Sequence, residues 1–200
     1  MKTILLSVLI GLGFFATAPQ GISVGDIVPD FDLLNVDGEN FSMEDMPEAK
    51  GFILVFTCNS CPVAKMYEQR IMDLDAQFRD MGYPVVAINP NDPVRKPDDS
   101  YASMQERSTE KEYSFPYLHD VGGKVALAYG ATRTPEIYLA HRNADGELIL
   151  AYTGAIDNNS GDADAADEHY VADAIANLEA GEDVANSFTR AIGCTIKWAQ

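Results

Sequence analysis

Basic residues are scarce: 14 Lys and Arg stand against 31 Asp and Glu, leaving a formal net charge of −17 over 200 residues. Such a balance repels phosphate backbones and anionic lipid, which argues against nucleic acid and membrane surfaces as partners. No local basic patch offsets it, and the excess is read as a solvated acidic surface. Histidine is also rare. His119, His141 and His169 stand at no paired spacing, so a zinc site built from a cysteine pair plus two histidines is not expected. There are only three cysteines, Cys58, Cys61 and Cys194, too few for a disulfide-stapled scaffold. There is no internal repeat and no linker-like stretch that would split the chain. Residues 4–16 form the one long uncharged apolar run, too short for an ordinary membrane span.

What is present reads as a signal followed by one domain. Lys2, the apolar run 4–16 and Ala16-Thr17-Ala18 have the order of a secretory signal, with cleavage near 18–21. The expectation is therefore residues 1–21 as a signal peptide, residues 22–200 as one domain with a tail over 182–200, and an exported, periplasmic or extracellular protein. Export permits disulfides to persist. A chain of this length buries about 70% of its unfolded surface, enough for a sizeable core.

Local pattern gives alternating elements. Residues 30–43 read as two short strands about Asp37-Gly38, a type I′ hairpin signal. The run 51–57 (GFILVFT) is apolar throughout and reads as a buried central strand. Val63, Tyr67, Ile71, Leu74, Phe78 and Met81 recur at helical spacing over 62–81, with Gly82 as the stop. Residues 83–89 read as a second strand, and the proline-rich 90–100 as a loop. Helices are expected over 101–112 and 121–130, and an antiparallel hairpin from 135–140 and 147–154. Residues 157–168 read as a solvated acidic loop, and a last helix ends at Gly181. The tail alternates Ile192, Cys194, Ile196 and Trp198 with Gly193, Thr195 and Lys197. Period-two spacing of this kind predicts an extended segment docked by one face. Cys194 is then read as a small buried hydrophobe, with a third redox cysteine as the competing reading. The element order predicts an α/β domain with a mixed central sheet flanked by helices. That order suits the thioredoxin fold, with the 30–43 hairpin as an N-terminal addition.

Thr57-Cys58-Asn59-Ser60-Cys61-Pro62 joins the buried strand to the first long helix. A helix N-terminus carries about half a positive charge and unpaired N–H groups, and both stabilise a thiolate. A second cysteine two residues away can attack a mixed disulfide formed on the first. Pro62 fits the first helical turn, where its missing N–H leaves no gap. On this reading Cys58 is the exposed, low-pKa thiol that attacks and Cys61 resolves. Thr57, Thr134 and Pro135 are the candidates for a substrate groove. No metal and no cofactor is assigned, and protein or small-molecule thiols and disulfides are the expected partners.

The stretches GDIVPDFDLLNVDGENFSM (25–43), FTCNSCPVAKMYEQR (56–70), VVAINPND (85–92), FPYLHD (115–120), VALAYGATRTPEIYLA (125–140), YTGAID (152–157) and TRAIGCTIKW (189–198) together resemble the redoxin group, the alkyl hydroperoxide reductase/thiol-specific antioxidant proteins. More narrowly they resemble an exported peroxiredoxin-like subgroup. The resemblance implies a thioredoxin fold, a cis peptide bond before Pro135 and redox-active cysteines. It also marks a departure. The peroxidatic cysteine of true peroxiredoxins falls at Cys61, but their threonine and proline positions are Cys58 and Leu54 here. Disulfide exchange is therefore favoured over peroxide reduction. Two alternatives stay open: a thiol peroxidase using Cys61, resolved by Cys58 or Cys194, and a non-enzymatic Cu(I) carrier using both thiolates with Met66 nearby.

Overall fold

The structure is a computed structural model that describes residues 21–200; the segment read as an export signal lies almost wholly outside the described residues. The chain lays down β1 (Leu33–Asn35), β2 (Asn40–Phe41), β3 (Gly51–Phe56), α1 (Pro62–Phe78), β4 (Val85–Asn89), α2 (Tyr101–Lys111), β5 (Tyr117–His119), α3 (Lys124–Tyr129), β6 (Arg133–Thr134), β7 (Glu136–Arg142), β8 (Leu148–Gly154), α4 (Tyr170–Glu179) and β9 (Cys194–Thr195). Seven strands form one sheet in the order β2-β1-β5-β4-β3-β7-β8, and β6 and β9 make a separate two-stranded ribbon. Pairing is parallel for β3 with β4 and for β4 with β5. It is antiparallel for β3 with β7, β7 with β8, and β1 with both β2 and β5. The sheet is thus mixed, as the element order predicts.

β3 is the axis of the domain. Its residues alternate between two cores because successive strand side chains point to opposite faces. Ile53 and Val55 pack with Tyr67, Ile71 and Phe78 of α1, Met104 of α2 and Val171 and Ile175 of α4. Phe52, Leu54 and Phe56 face Ala126 and Tyr129 of α3, Val28 and Phe31 of the N-terminal segment, and Ile196 of the tail. A strand buried on both faces needs a continuous apolar run, which is what residues 52–56 supply.

The structure departs from expectation in a few places, each for a local reason. The 35–40 turn is not type I′, because Gly38 alone carries a positive φ there (94°) and its N–H reaches the Asn35 carbonyl. A type I′ turn needs positive φ at both central residues. β5 is absent from the sequence reading; at three residues it is too short for periodicity to register. Met81 lies beyond the α-helix, in a 3-10 turn, and is 40% exposed. The acidic loop is mostly exposed, but its first residue, Asp157, is buried and accepts hydrogen bonds from Tyr67 Oη (3.1 Å) and Arg70 Nη1 (2.6 Å). In the tail, Ile196 is buried while Cys194 and Trp198 are half-buried, and Ile192 breaks the pattern at 48% exposed.

Phe56 sits edge-on to Tyr129 and Tyr138, with ring centroids 5.6 and 5.4 Å away. Phe56→Ala should leave a cavity where α3, β3 and β7 meet and lower stability by about 3–5 kcal/mol. Denaturant unfolding of the two proteins checks this, and a loss under about 1 kcal/mol would show that the cluster collapses around the gap.

Candidate active site

β3 ends at Phe56 and α1 begins at Pro62, so the Cys58–Cys61 turn is the link between the central strand and the longest helix. A carboxylate from another loop fixes that turn. Asp99 ends the 3-10 turn Pro97–Asp99 and is fully buried. Its Oδ1 accepts the N–H groups of Asn59 (2.7 Å) and Ser60 (3.1 Å), and its Oδ2 accepts from Ser60 Oγ (2.6 Å) and Asn91 Nδ2 (2.8 Å). Asn59 is pinned from the other side. Its Nδ2 donates to the Asp98 carbonyl (2.9 Å) and its Oδ1 accepts from Tyr117 Oη (2.9 Å), which in turn accepts from Asn89 Nδ2 (3.2 Å). Burial pushes the Tyr117 phenol well up, so it stays a donor. Thr57 is buried at the strand end and donates its N–H to the Ile88 carbonyl.

The two cysteines of the turn are not equivalent. Cys61 is the N-cap of α1, and its sulfur accepts the Ala64 N–H at 3.5 Å. The field and the free amide of the helix N-terminus therefore act on Cys61. Cys58 has the Thr134 hydroxyl at 3.1 Å. Its burial pushes the thiol above the ordinary cysteine range and the Asp99 charge adds to that, while the Thr134 hydroxyl, the Cys61 backbone N–H at the helix start and the Ser60 side chain oppose it. Of the expectation that Cys58 is the more exposed, low-pKa thiol, the low pKa is corrected here: Cys58 is marginally the more accessible, 4% against 2% for Cys61, but both are buried and its thiol is pushed up rather than down. The cause is burial first and the Asp99 charge second, neither of which is visible in the local sequence.

The tail supplies the third sulfur. Cys61 and Cys194 form a disulfide with Cα atoms 6.0 Å apart, and Cys58 is the free cysteine. The reading of Cys194 as an unbonded buried hydrophobe is therefore overturned; a disulfide pairs residues by position in space, and the tail returns to the site. Thr134 touches both cysteines of the turn, its hydroxyl at Cys58 and its carbonyl oxygen 3.3 Å from the Cys61 sulfur. The Thr134-Pro135 bond is cis, as the resemblance implies. Thr134 is directly paired with Cys194 in the β6–β9 ribbon. Arg133, the one arginine beside this segment, donates its Nη1 to the Gly193 carbonyl at 3.1 Å and so holds the tail. Met66 is 47% exposed on α1. Among the described residues no group of three or more His, Cys, Asp or Glu side chains is arranged to hold a metal ion.

Asp99, Tyr117, Asn89 and Asn91 belong to the site and escape the sequence reading. Asp99 lies among prolines and acids in 90–100, a composition that reads as a solvated loop. Asn89 at the end of an otherwise apolar strand is the one local hint, since a polar side chain there requires a buried partner.

The opposed influences on Cys58 set its pH dependence. Asp99→Asn removes the nearby negative charge, so the Cys58 titration should move to lower pH and labelling at neutral pH should quicken. Thr134→Val removes the hydrogen bond that favours the thiolate and should move it to higher pH. Rates of iodoacetamide labelling at Cys58 against pH, read by mass spectrometry, measure both. Shifts in the same direction would show that the two groups do not act on the sulfur as the geometry requires.

A curated relative, the thiol-disulfide oxidoreductase ResA of Oceanobacillus iheyensis, is 28% identical over 142 residues, covering 69% of this chain and 70% of that one. The crystal structure of an uncharacterized conserved protein from Geobacillus kaustophilus is 32% identical, covers 94% of this chain and 98% of its own, and superposes with a TM-score of 0.82. A hypothetical protein from Sinorhizobium meliloti 1021 gives 28%, 90%, 97% and 0.80. The fold is thioredoxin-like. The AhpC/TSA family matches residues 24–157, which run from the N-terminal segment through the cysteine turn and the cis-proline to Asp157, three residues past β8, and the chain belongs to that family.

Proposed function

We propose that the protein is an exported thiol–disulfide oxidoreductase whose exchange centre is Cys61, with Cys58 as the thiol that resolves. The observation that carries this is the convergence of three cysteines on Thr134-Pro135, one pair bonded and one thiol free. The ResA relative supports the reaction class. The cap position supports Cys61 as the sulfur that bears thiolate character, which reverses the roles expected from the sequence.

In the reducing direction an external dithiol first reduces the Cys61–Cys194 bond, becoming a disulfide itself; the freed Cys61 thiolate then attacks a substrate disulfide, forming a mixed disulfide and releasing one substrate thiol. Cys58 loses its proton and attacks the Cys61 sulfur. A Cys58–Cys61 disulfide forms, the substrate–Cys61 bond breaks, and the second substrate thiolate takes up a proton. Two electrons pass to the substrate, and an external dithiol restores the pair. The same steps run backwards when a substrate dithiol is oxidised. Substrates are thiols or disulfides of proteins or small molecules; nucleic acid and stable membrane association form no part of the reading. Export rests on the pattern of residues 1–21. Among the described residues no helix is long and apolar enough to cross a membrane.

One observation favours a second reading. A disulfide between Cys61 and a distant C-terminal cysteine is also what a peroxidase would form after Cys61 sulfenic acid condenses with a resolving thiol. Against it, the position where a hydroxyl would orient peroxide holds Cys58, and Arg133 is engaged by the tail.

Insulin reduction in the presence of a thiol reductant, hydrogen peroxide consumption and Cu(I) binding, measured on one preparation, separate the three readings. Insulin turnover is expected, and Cys61→Ser should abolish it while leaving the native fold by circular dichroism. Peroxide consumption at rates above the insulin reaction would replace this proposal with the peroxidase reading.

A further inference from the structure

On the exchange reading, a substrate segment must approach Cys61 along Thr134. That path is already filled. Residues 193–198 run antiparallel to 132–134, with Thr134 opposite Cys194, Arg133 opposite Thr195, and the Ile196 N–H donated to the Thr132 carbonyl at 3.0 Å. A sulfur on this added strand is bonded to the sulfur at the helix N-terminus. Strand pairing plus a bond to the exchange sulfur is the arrangement of an enzyme–substrate mixed disulfide, made here by the chain with itself.

The seat reads side chains. At Gly193 an added Cβ would stand 2.3 Å from the Thr134 carbonyl oxygen and 3.1 Å from the Pro135 nitrogen, so only glycine lets the backbone approach. Two residues past the cysteine, Ile196 is buried in the core formed by Leu54, Phe56, Val86 and Ile88. Lys197 is gripped by its backbone, its N–H donated to Asn91 Oδ1 (2.8 Å) and its carbonyl accepting from the Asp92 N–H (2.8 Å). Trp198 lies against Gly123, where a Cβ would come within 2.7 Å of the indole. A strap serving only to tie down the C-terminus would need neither the glycine nor a bond to the exchange sulfur.

We propose that residues 193–198 are a tethered stand-in for substrate. The partner they imitate is an extended protein segment in which glycine precedes the reactive cysteine and an apolar residue follows two positions later. The proposal rests on the exchange reading and adds the substrate class and the gate. Opening is an isomerisation. Cys58, as thiolate, attacks the Cys61 sulfur; the Cys58–Cys61 bond forms, the Cys61–Cys194 bond breaks, and Cys194 leaves and takes up the proton that Cys58 lost. No electrons enter or leave. A partner cysteine thiolate can then attack Cys61, expel Cys58 and occupy the place of Cys194.

The test uses the full chain carrying Cys58→Ser and Cys194→Ser, so that Cys61 is the one thiol, and two peptides of the 190–198 sequence activated at cysteine with nitrothiobenzoate. One has the natural glycine before the cysteine; the other has valine there. Release of nitrothiobenzoate should be about tenfold or more faster for the glycine peptide, as a backbone clash removed from the transition state requires. Small-molecule Ellman's reagent on the same protein reports Cys61 itself. Reaction with the reagent but equal rates for the two peptides overturns the groove proposal and leaves the exchange reading standing. No reaction of Cys61 with any of the three overturns both. In the unsubstituted chain, reduction should speed tryptic cleavage after Lys197 by about tenfold, because releasing the tail exposes a backbone otherwise bonded at both its N–H and carbonyl; equal cleavage before and after reduction overturns the gate.

Discussion

The buried carboxylate of Asp99 is the constraint on which the site depends. It has no ion-pair partner among the described residues, and a buried charge without one must be held by hydrogen bonds. The donors are the amides of Asn59 and Ser60, the Ser60 hydroxyl and the side chains of Asn91 and, at 3.4 Å, Asn89, so three of the five come from the cysteine turn and the carboxylate is fully satisfied only when that turn is in place. Asn91 then carries the restraint onward through its Oδ1 to the Lys197 N–H. One side chain thus couples the turn that bears Cys58 and Cys61 to the tail that bears Cys194. Removing it would leave buried amides unpaired, which costs about 1–3 kcal/mol for each such group.

The same charge divides the labour of the sulfurs. A buried anion beside Cys58 disfavours a second negative charge there, against the opposing pull of the Cys61 backbone N–H, while the Ala64 N–H of the first helical turn is donated to the Cys61 sulfur. Two chemically identical side chains three positions apart thus sit in different surroundings, one beside a buried carboxylate and one at a helix cap. On the proposed function, that difference is what would let one wait as a thiol while the other exchanges. Charge on the core-facing side of α1 is handled differently, by pairing. Glu68 is held by Arg107 of α2 and by Tyr113, and Asp75 by Arg79, Ser114 and the Val85 N–H. These pairs tie the helix that carries Cys61 to β4 and α2, so the cap is presented from a braced element.

Where a signal is local, the sequence shows it. β3 and α1 are legible because a fully buried strand needs an unbroken apolar run and an amphipathic helix needs the 3.6 period, and residues 51–78 hold both in succession. The thioredoxin-like order follows from those elements and from the resemblance of the quoted stretches to the redoxin group, and Cys58, Cys61, Thr134 and Pro135, singled out on the same grounds, are brought together in space. What escapes is set by distance in the chain. β5 exists because β1 and β4 flank it, and three residues carry no period of their own. Asp99 looks like any other acid in a polar loop until the turn folds over it. The role of each cysteine hinges on which one caps the helix, a boundary that Pro62 locates only to within a residue or so.

The odd number of cysteines shows how the local and the distant signals combine. Three cysteines allow one bridge and leave one thiol over, and nearness in sequence suggests Cys58–Cys61 as the bridge. The observed bond spans 133 residues instead. It is reached because the tail alternates apolar and small residues, so a single docked face sets Ile196 into the core and Cys194 over Thr134 at the same time. Gly193 completes the register: without a side chain at that position the backbone closes on the Thr134 carbonyl, and any larger residue would push the sulfur away from Cys61. The thiol left over is then Cys58, the one whose buried surroundings keep it protonated, and it packs in the same small cluster as Cys61 and Cys194. An unpaired thiol is thereby placed beside the Cys61–Cys194 bond.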